Sequence, residues 1–230
     1  MGAQDGAELE PTFDWPRDRL CLLIAGGTGA LVEAVENAED DADAARGAVR
    51  AAGIGADDVV IAVAASGETP FTVAVLREAQ ARGALGIGVG SNPDSTLARA
   101  ANCAVTVATG AEPIAGSTRM RAGTAQKVVL NLLSTALMTG LGRVHAGRMV
   151  DMRARNAKLR RRAVRMVREL AGTEEAASAA ALERTGMRVK PAVLVALGLE
   201  PAEAERTLAR HGGALRAALA ERLVSSGATP

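Results

Sequence analysis

The sequence predicts a doubly wound α/β fold, with a parallel sheet between helices, followed by a small all-helical module. First, apolar runs of strand length recur up to residue 107 without polar alternation, which is typical of strands buried on both faces of a parallel sheet. Second, each run leads into a segment rich in Gly, Ser and Thr and then into a helical pattern. Third, the chain beyond Gly142 shows only helical patterns.

Each predicted element follows from a local pattern. The run that ends at Ala64, for example, is unbroken and β-branched, and Pro70 after it suits a first helical position, where its missing N–H costs nothing. The predicted strands are Leu20–Ile24, Val59–Ala64, Leu85–Val89 and Cys103–Val107. The predicted helices of the α/β part are Gly29–Ala52, Thr69–Arg82, Ser95–Ala101 and Gly123–Leu141.

Composition is that of a globular protein and narrows the possible partners. The 230 residues are 48% hydrophobic and 23% charged, with a formal net charge of only +1. The net charge is therefore too small to attract nucleic acid electrostatically, and no apolar run is long enough to span a membrane. The short run at Leu20–Ala25 does not resemble a secretory signal, so we expect a cytoplasmic chain. Cys21 and Cys103 are solitary, which indicates reduced core thiols and no metal site.

The segment Ser-Gly-Glu-Thr-Pro, residues 66–70, is the strongest candidate for a ligand site. Gly67 lets the backbone approach an anion closely, and Ser66 and Thr69 add hydroxyl donors at the start of a helix. The alternative is an ordinary strand-to-helix connection with a Ser/Thr cap. In parallel α/β sheets ligands bind beyond the carboxyl ends of the strands, where the other Gly- and Ser-rich segments also lie.

A second candidate is the segment GSTRMRAGTAQK, residues 116–127. Ser117 and Thr118 offer hydroxyls to a phosphate or a sugar, and Gly123 and Thr124 are expected to open a helix with free N–H groups. Lys127, one turn inside that helix, adds a positive charge. The alternative is that the basic residues of this segment are surface cations.

Several of these segments together resemble a known family. The Ser-Gly-Glu-Thr-Pro turn followed by GSNPDS is similar to the sugar isomerase (SIS) domain, a flavodoxin-like fold that binds phosphosugars. From about Asp5 to Leu223 the chain resembles N-acetylmuramic acid 6-phosphate etherases. The resemblance is carried, in order, by the segments EPTF, IAGG, AVENAEDD, IAVAASGETPF, GSTRMRAGTAQK, NLLSTALM and MVDMRARNAKLRRRA.

The resemblance implies a lyase that cleaves the lactyl ether of a phosphorylated amino sugar during cell-wall recycling. Lactate is eliminated and water is then added, with two glutamates as catalysts and with neither a metal nor a cofactor. The family glutamates fall on Glu8, assigned to protonating the departing lactate oxygen, and on Glu39, assigned to work at C2. SIS domains commonly pair, so the resemblance also implies a homodimer.

The residues alone leave other interpretations of these acids open. Glu8 lies in a polar leader and Glu39 in an acidic run, where carboxylates are usually solvated. A helix begun near Thr28 carries Glu39 about 15 Å from the strand ends at 1.5 Å per residue. Either that helix breaks near Asn37, or Glu39 serves a neighbouring subunit. On one helix face, Glu36 would repel Glu39 and raise one pKa if the site were partly buried.

The predicted domains are a SIS domain at 1–148, a connecting helix at 149–172 and a small helical domain at 173–230 that resembles a ubiquitin-associated fold. The connecting helix is rich in arginine, and without interleaved aromatics we interpret it as a solvated helix and not as a nucleic-acid-binding one.

The resemblance also has departures. Glu68 stands where the etherases usually have Arg, and the family's first strand and first phosphate loop have no counterpart, which suggests an N-terminally truncated SIS domain that is poorly soluble or inactive alone. The alternatives to an active lyase are a non-catalytic phosphosugar-binding regulator and an inactive truncated paralogue.

Overall fold

The computed structural model describes residues 1–154 and 156–225; Arg155 of the predicted connecting helix and the end of the predicted helical domain lie outside the described residues. The chain divides into two compact units, Met1–Ala7 with Asp18–Leu133, and Glu8–Arg17 with Ser134–Pro230. In chain order the elements are α1 (Gly2–Ala7), α2 (Leu9–Phe13), α3 (Ala42–Ala51), β1 (Val59–Val63), α4 (Pro70–Ala81), β2 (Leu85–Gly90), α5 (Thr96–Ala100), β3 (Cys103–Thr106), α6 (Arg121–Gly140), β4 (Val144–His145), β5 (Arg148–Met149), α7 (Ala157–Ala171), α8 (Glu175–Arg184), α9 (Val189–Ala196), α10 (Pro201–Arg210) and α11 (Leu215–Ser225).

The first unit is built on a parallel three-stranded sheet in the order β1-β2-β3, which confirms the α/β prediction. Val59 is opposite Leu85 in the register, and Ile87 is opposite Cys103. Because all three strands run the same way, their carboxyl ends and the loops after them lie at one edge of the sheet. That edge carries the Ser-Gly-Glu-Thr-Pro turn.

Helix α4 fastens this turn to the core. Pro70 is at its start, and its buried face presents Phe71, Val75 and Ala79. These side chains belong to one apolar cluster with Ala45 and Val49 of α3. The loop before α4 is therefore held by a well-packed helix, which is what a rigid binding turn requires.

Two predicted elements of the first unit are wrong. Residues 20–24 form no strand, because an apolar run becomes a strand only where a neighbour pairs with its backbone, and among the described residues β1 pairs with β2 alone. The predicted helix Gly29–Ala52 begins only at Ala42, where the Asp41 carboxylate accepts the N–H of Ala44 at 2.8 Å and caps it.

The sheet is also less covered than a fully buried parallel sheet. Val59 and Leu85, which are register partners, expose 57% and 48% of their surface, and Ile61 exposes 38%. Cys103 of β3 and Cys21 are exposed free thiols and not core residues. The sequence predicted burial of these apolar strand residues and of both cysteines, but the residues named here are exposed.

The second unit is helical apart from a short hairpin of β4 and β5. Its core is formed by α7 to α11, with Leu182, Val193 and Leu194 fully buried. Helix α7 is amphipathic: it buries Ala163, Met166 and Val167 in this core, while its arginines are exposed. None of the described helices combines the length and apolar character needed to cross a membrane.

Candidate functional site

Two local hydrogen bonds fix the shape of the turn between β1 and α4. Gly67 has a φ of +72° and donates its N–H to the carbonyl of Ala64 at 3.1 Å. The N–H of Glu68 donates to Ser66 Oγ at 3.2 Å. Ser66 is exposed and its oxygen accepts this bond, so its O–H hydrogen can still donate to a ligand.

Thr69 is the second hydroxyl of this turn. It occupies the N-cap position of α4, yet its side chain makes no capping hydrogen bond. Because a Thr at this position usually bonds the helix backbone, a hydroxyl without that capping bond is suited to a ligand. The structure therefore places the predicted binding residues Ser66, Gly67 and Thr69 together on one short turn.

Gly67 packs directly against the loop that follows β2. A Cβ atom added there would lie 2.3 Å from Ser95 Oγ, so no side chain fits. The carbonyl of Gly67 accepts the N–H of Leu97 at 2.9 Å. Glycine is thus required for a close approach of two loops as well as for its backbone angle.

The carboxylate of Glu68, the residue that departs from the etherase pattern, accepts hydrogen bonds from within the protein. Its carboxylate accepts the N–H of Thr96 at 2.8 Å and the Thr96 hydroxyl at 2.6 Å. These two bonds, and the charge of Arg99 to a smaller extent, lower the pKa of Glu68. The carboxylate is therefore committed to the loop after β2.

Glu39 lies beside the same turn. The chain reverses at Asn37, which has a φ of +59°, and does not continue as a helix. The carbonyl of Glu39 then accepts the N–H of Phe71, the second residue of α4, at 2.9 Å. No α-helix runs from Thr28 to Glu39, so the expected distance of about 15 Å along a helix does not apply. Glu36 and Glu39 share no helix face, and both are exposed.

The segment at 116–127 forms a loop that leads into α6. The expected free N–H groups at this helix start are not free: Glu112 accepts the N–H of Arg121 at 3.1 Å and that of Ala122 at 2.9 Å. Gly123 donates to the carbonyl of Thr118 at 2.9 Å. The protein's own carboxylate therefore occupies the place that the sequence suggested for a phosphate. Ser117 is half-buried and Thr118 exposed, so their hydroxyls are what this loop offers.

Lys127 is turned toward an acid of α1. Its Nζ lies 2.9 Å from Asp5 Oδ1, and the side-chain amide of Asn131 donates to the same oxygen at 2.5 Å. Asp5 is buried and Lys127 half-buried. The lysine thus compensates a buried carboxylate, a role that its spacing in the sequence did not reveal.

Glu8 belongs to the second unit, where it immediately precedes α2 and is exposed. The residues after it are firmly held. Arg143 donates to the carbonyls of Phe13 at 2.6 Å and Asp14 at 3.0 Å, and its guanidinium lies 5.4 Å from the Trp15 ring centroid. The segment that carries Glu8 is therefore anchored within the second unit by Arg143.

Two polar atoms that sequence analysis did not single out are buried without a hydrogen-bond partner among the described residues: Ser91 Oγ and Gln126 Nε2. Ser91 begins the loop after β2, and Gln126 lies on α6. No sequence pattern shows which hydroxyl will be buried and unpaired. The only signal was the position of Ser91 directly after a strand.

The first unit therefore presents hydroxyl donors and an exposed carboxylate around one sheet edge. Such a set can bind a phosphoryl group and move a proton. Within residues 1–154 and 156–225, no group of three His, Cys, Asp or Glu side chains is arranged to hold a metal ion.

Comparison with known proteins gives two results. The SIS domain family matches residues 31–136, which include the turn and the start of α6. The chain is also similar, over nearly its whole length, to curated bacterial proteins named N-acetylmuramic acid 6-phosphate etherase.

The protein of this name from Deinococcus radiodurans is 49% identical over 222 residues, which cover 96% of this chain and 73% of the relative. The one from Serratia proteamaculans is 46% identical over 220 residues, covering 95% of this chain and 74% of the relative. The one from Salmonella typhimurium strain LT2 has the same identity and coverage.

Proposed function

The chain belongs to the N-acetylmuramic acid 6-phosphate etherase family, and from this premise we propose its reaction and its catalytic residues. It is a carbon–oxygen lyase of amino sugar recycling that converts N-acetylmuramic acid 6-phosphate and water into N-acetylglucosamine 6-phosphate and D-lactate. The observation that supports a site in this chain is the bond between the Glu39 carbonyl and the Phe71 N–H, because it joins an acidic segment to a turn of hydroxyl donors.

The reaction requires a base and an acid. The proton on C2 is weakly acidic and lactate is a poor leaving group, so neither bond breaks readily unaided. We assign Glu39 to remove the C2 proton and Glu8 to protonate the lactate oxygen as its bond to the neighbouring carbon breaks. The resulting C2–C3 double bond is then saturated by water, whose hydroxyl goes to C3 and whose proton returns to C2.

Binding of the phosphoryl group positions the sugar in the proposed site. Ser66 and Thr69 are assigned to donate hydrogen bonds to its oxygens, and Gly67 allows the close approach. Ser117 and Thr118 are assigned to the substrate from the loop before α6. Lys127 completes the proposed set, with Asp5 taking part of its charge.

Two further properties are proposed with this function. The chain acts as a homodimer, which is supported by exposed apolar residues on one face of α6, where Val128 and Leu132 expose 52% and 66% of their surface. It works in the cytoplasm, which is supported by free thiols at Cys21 and Cys103. Light scattering on the purified chain tests the dimer, and a monomeric mass contradicts it.

The decisive experiment is D-lactate release from N-acetylmuramic acid 6-phosphate by the purified chain. We expect Glu8→Gln and Glu39→Gln to slow release by at least about 100-fold, since each removes a proton-transfer group. The matched control is Glu33→Gln, an exposed acid of the same acidic run as Glu39. The proposal fails if both variants release lactate at the wild-type rate. Binding of N-acetylglucosamine 6-phosphate without any turnover would instead favour the regulator.

A further inference from the structure

The loop after β2 is hydrogen-bonded to the Ser66–Pro70 turn and the residue before it at both of the loop's ends. At its start the N–H of Ser91 donates to the carbonyl of Ala65 at 2.9 Å. At its end the Glu68 carboxylate accepts two bonds from Thr96, and the Gly67 carbonyl accepts the N–H of Leu97. Two loops joined at both ends have little freedom to rearrange when a ligand arrives, so their donors are preorganised.

Within this rigid pair of loops, Ser91 carries an unused hydroxyl. Its Oγ is buried and has no hydrogen-bond partner among the described residues. Ser91 as a residue is half-buried, whereas the two serines that are buried among the described residues are satisfied: Ser95 Oγ accepts the N–H of Ala98 at 3.2 Å, and Ser178 Oγ donates to the carbonyl of Glu174 at 3.0 Å. A buried hydroxyl without a partner is destabilising, so a ligand or an internal water that accepts its hydrogen bond would stabilise it.

The location of Ser91 indicates which ligand. It is the first residue after β2, the central strand of the sheet, and its backbone is bonded to the residue that precedes Ser66. The carboxyl end of a central parallel strand is where small ligands bind. A phosphoryl group has several acceptor oxygens, and an O–H donor on each side of it satisfies more than one.

We propose that Ser91 is a further substrate-binding residue, whose hydroxyl donates to the phosphoryl group together with Ser66 and Thr69. This inference rests on the proposed function, because it takes the same phosphosugar as ligand. The Glu68–Thr96 bonds act as the clamp that keeps the Ser91 loop against the turn. Glu68, which departs from the etherase pattern, thereby supports the site through the loop that it holds.

The test is calorimetric binding of N-acetylglucosamine 6-phosphate to the full chain and to Ser91→Ala. We expect affinity to fall about 10- to 100-fold, the loss typical of a hydrogen bond to a charged group. The thermal midpoint of the free protein should stay the same or rise, because the substitution removes an unpaired buried hydroxyl. Affinity thus falls while stability does not, a combination that a merely structural role does not produce.

The matched control is Ser178→Ala in the second unit. It deletes a buried hydroxyl that has partners, so we expect a lower thermal midpoint and unchanged affinity. Ser91→Cys is the second variant, since a thiol is similar in size yet a weak donor, and it should also bind weakly. Inorganic phosphate should lose affinity in parallel with the phosphosugar.

Unchanged affinity in both Ser91 variants would overturn the inference and leave the hydroxyl to an internal water. If the wild-type chain itself fails to bind the phosphosugar, the proposed function falls and takes this inference with it. The two failures are therefore distinguished by the wild-type measurement.

Discussion

Replacement of Gly67 by alanine tests how closely the two loops of the site are packed. The residue has a φ of +72°, and a left-handed backbone costs an alanine about 1–2 kcal/mol. The added Cβ would lie 2.3 Å from Ser95 Oγ and 2.4 Å from Ser95 Cβ. Ser95 is itself buried and caps α5, so it cannot move away freely, and such overpacking costs about 1–3 kcal/mol more.

The expected total is a loss of about 2–5 kcal/mol in the free energy of unfolding. For a chain of this size, that lowers the thermal midpoint by about 4–20 °C. Far-ultraviolet circular dichroism during heating measures the midpoint. Calorimetry on the same samples should show loss of phosphosugar binding, because the Ser66–Pro70 turn cannot keep its place against Ser95.

Substitutions at two other glycines of the first unit separate the backbone cost from the cost of overpacking. Gly116 has a φ of +81° and open space around its added Cβ, so Gly116→Ala should show only the backbone cost of about 1–2 kcal/mol. Gly47 lies within α3 with no atom near its added Cβ, so Gly47→Ala should stabilise the chain by about 0.5–1 kcal/mol. If Gly67→Ala is no worse than Gly116→Ala, the close packing against Ser95 is refuted.

Two further predictions concern charge. Asp5→Asn should lower the free energy of unfolding by about 2–3 kcal/mol, because it weakens the bonds of a buried carboxylate to Lys127 and Asn131. The control is Asp43→Asn at an exposed ion pair, which should change the free energy of unfolding by less than about 0.5 kcal/mol. Equal effects of the two substitutions in urea unfolding would contradict the role of burial. Burial, helped by the charges of Arg216 and Arg148, lowers the pKa of His145 below 6.5, so the folded chain binds fewer protons than the unfolded one and stability should fall as pH drops through 6.5. His145→Gln should flatten the thermal midpoint against pH in this window, and an unchanged slope would refute the assignment.

The parts of the fold that follow from local sequence were predictable. Three uninterrupted apolar runs are strands, and helix α4 begins at Pro70 as expected. The run at 20–24 has the same composition but no strand, because pairing depends on which backbone lies alongside. The early start predicted for α3 failed for a different reason, since Asn37 takes a left-handed conformation and Asp41 supplies the cap.

The candidate site also has parts that local sequence predicts and parts that depend on contacts in the fold. Ser66, Gly67 and Thr69 are adjacent in sequence, so their turn could be recognised from residue types alone. Glu112 caps a helix that starts nine residues later, and Lys127 finds an acid 122 residues away. Contacts of this kind depend on the assembled fold. The unpaired hydroxyl of Ser91 is the extreme case, because it is defined by the bonds that its surroundings do not make.

The hydrogen bonds at the helix starts decide what kind of anion site this can be. At α4 the N–H of Phe71 is bonded to the Glu39 carbonyl, and at α6 the N–H groups of Arg121 and Ala122 are bonded to Glu112. Helix N-termini usually attract anions through such amides, but the chain's own oxygens occupy these three. We therefore expect side-chain hydroxyls such as those of Ser66 and Thr69 to contribute more to phosphosugar affinity than these three amides do. It follows that single Ser or Thr deletions at the rim should weaken binding strongly, while the fold around them stays intact.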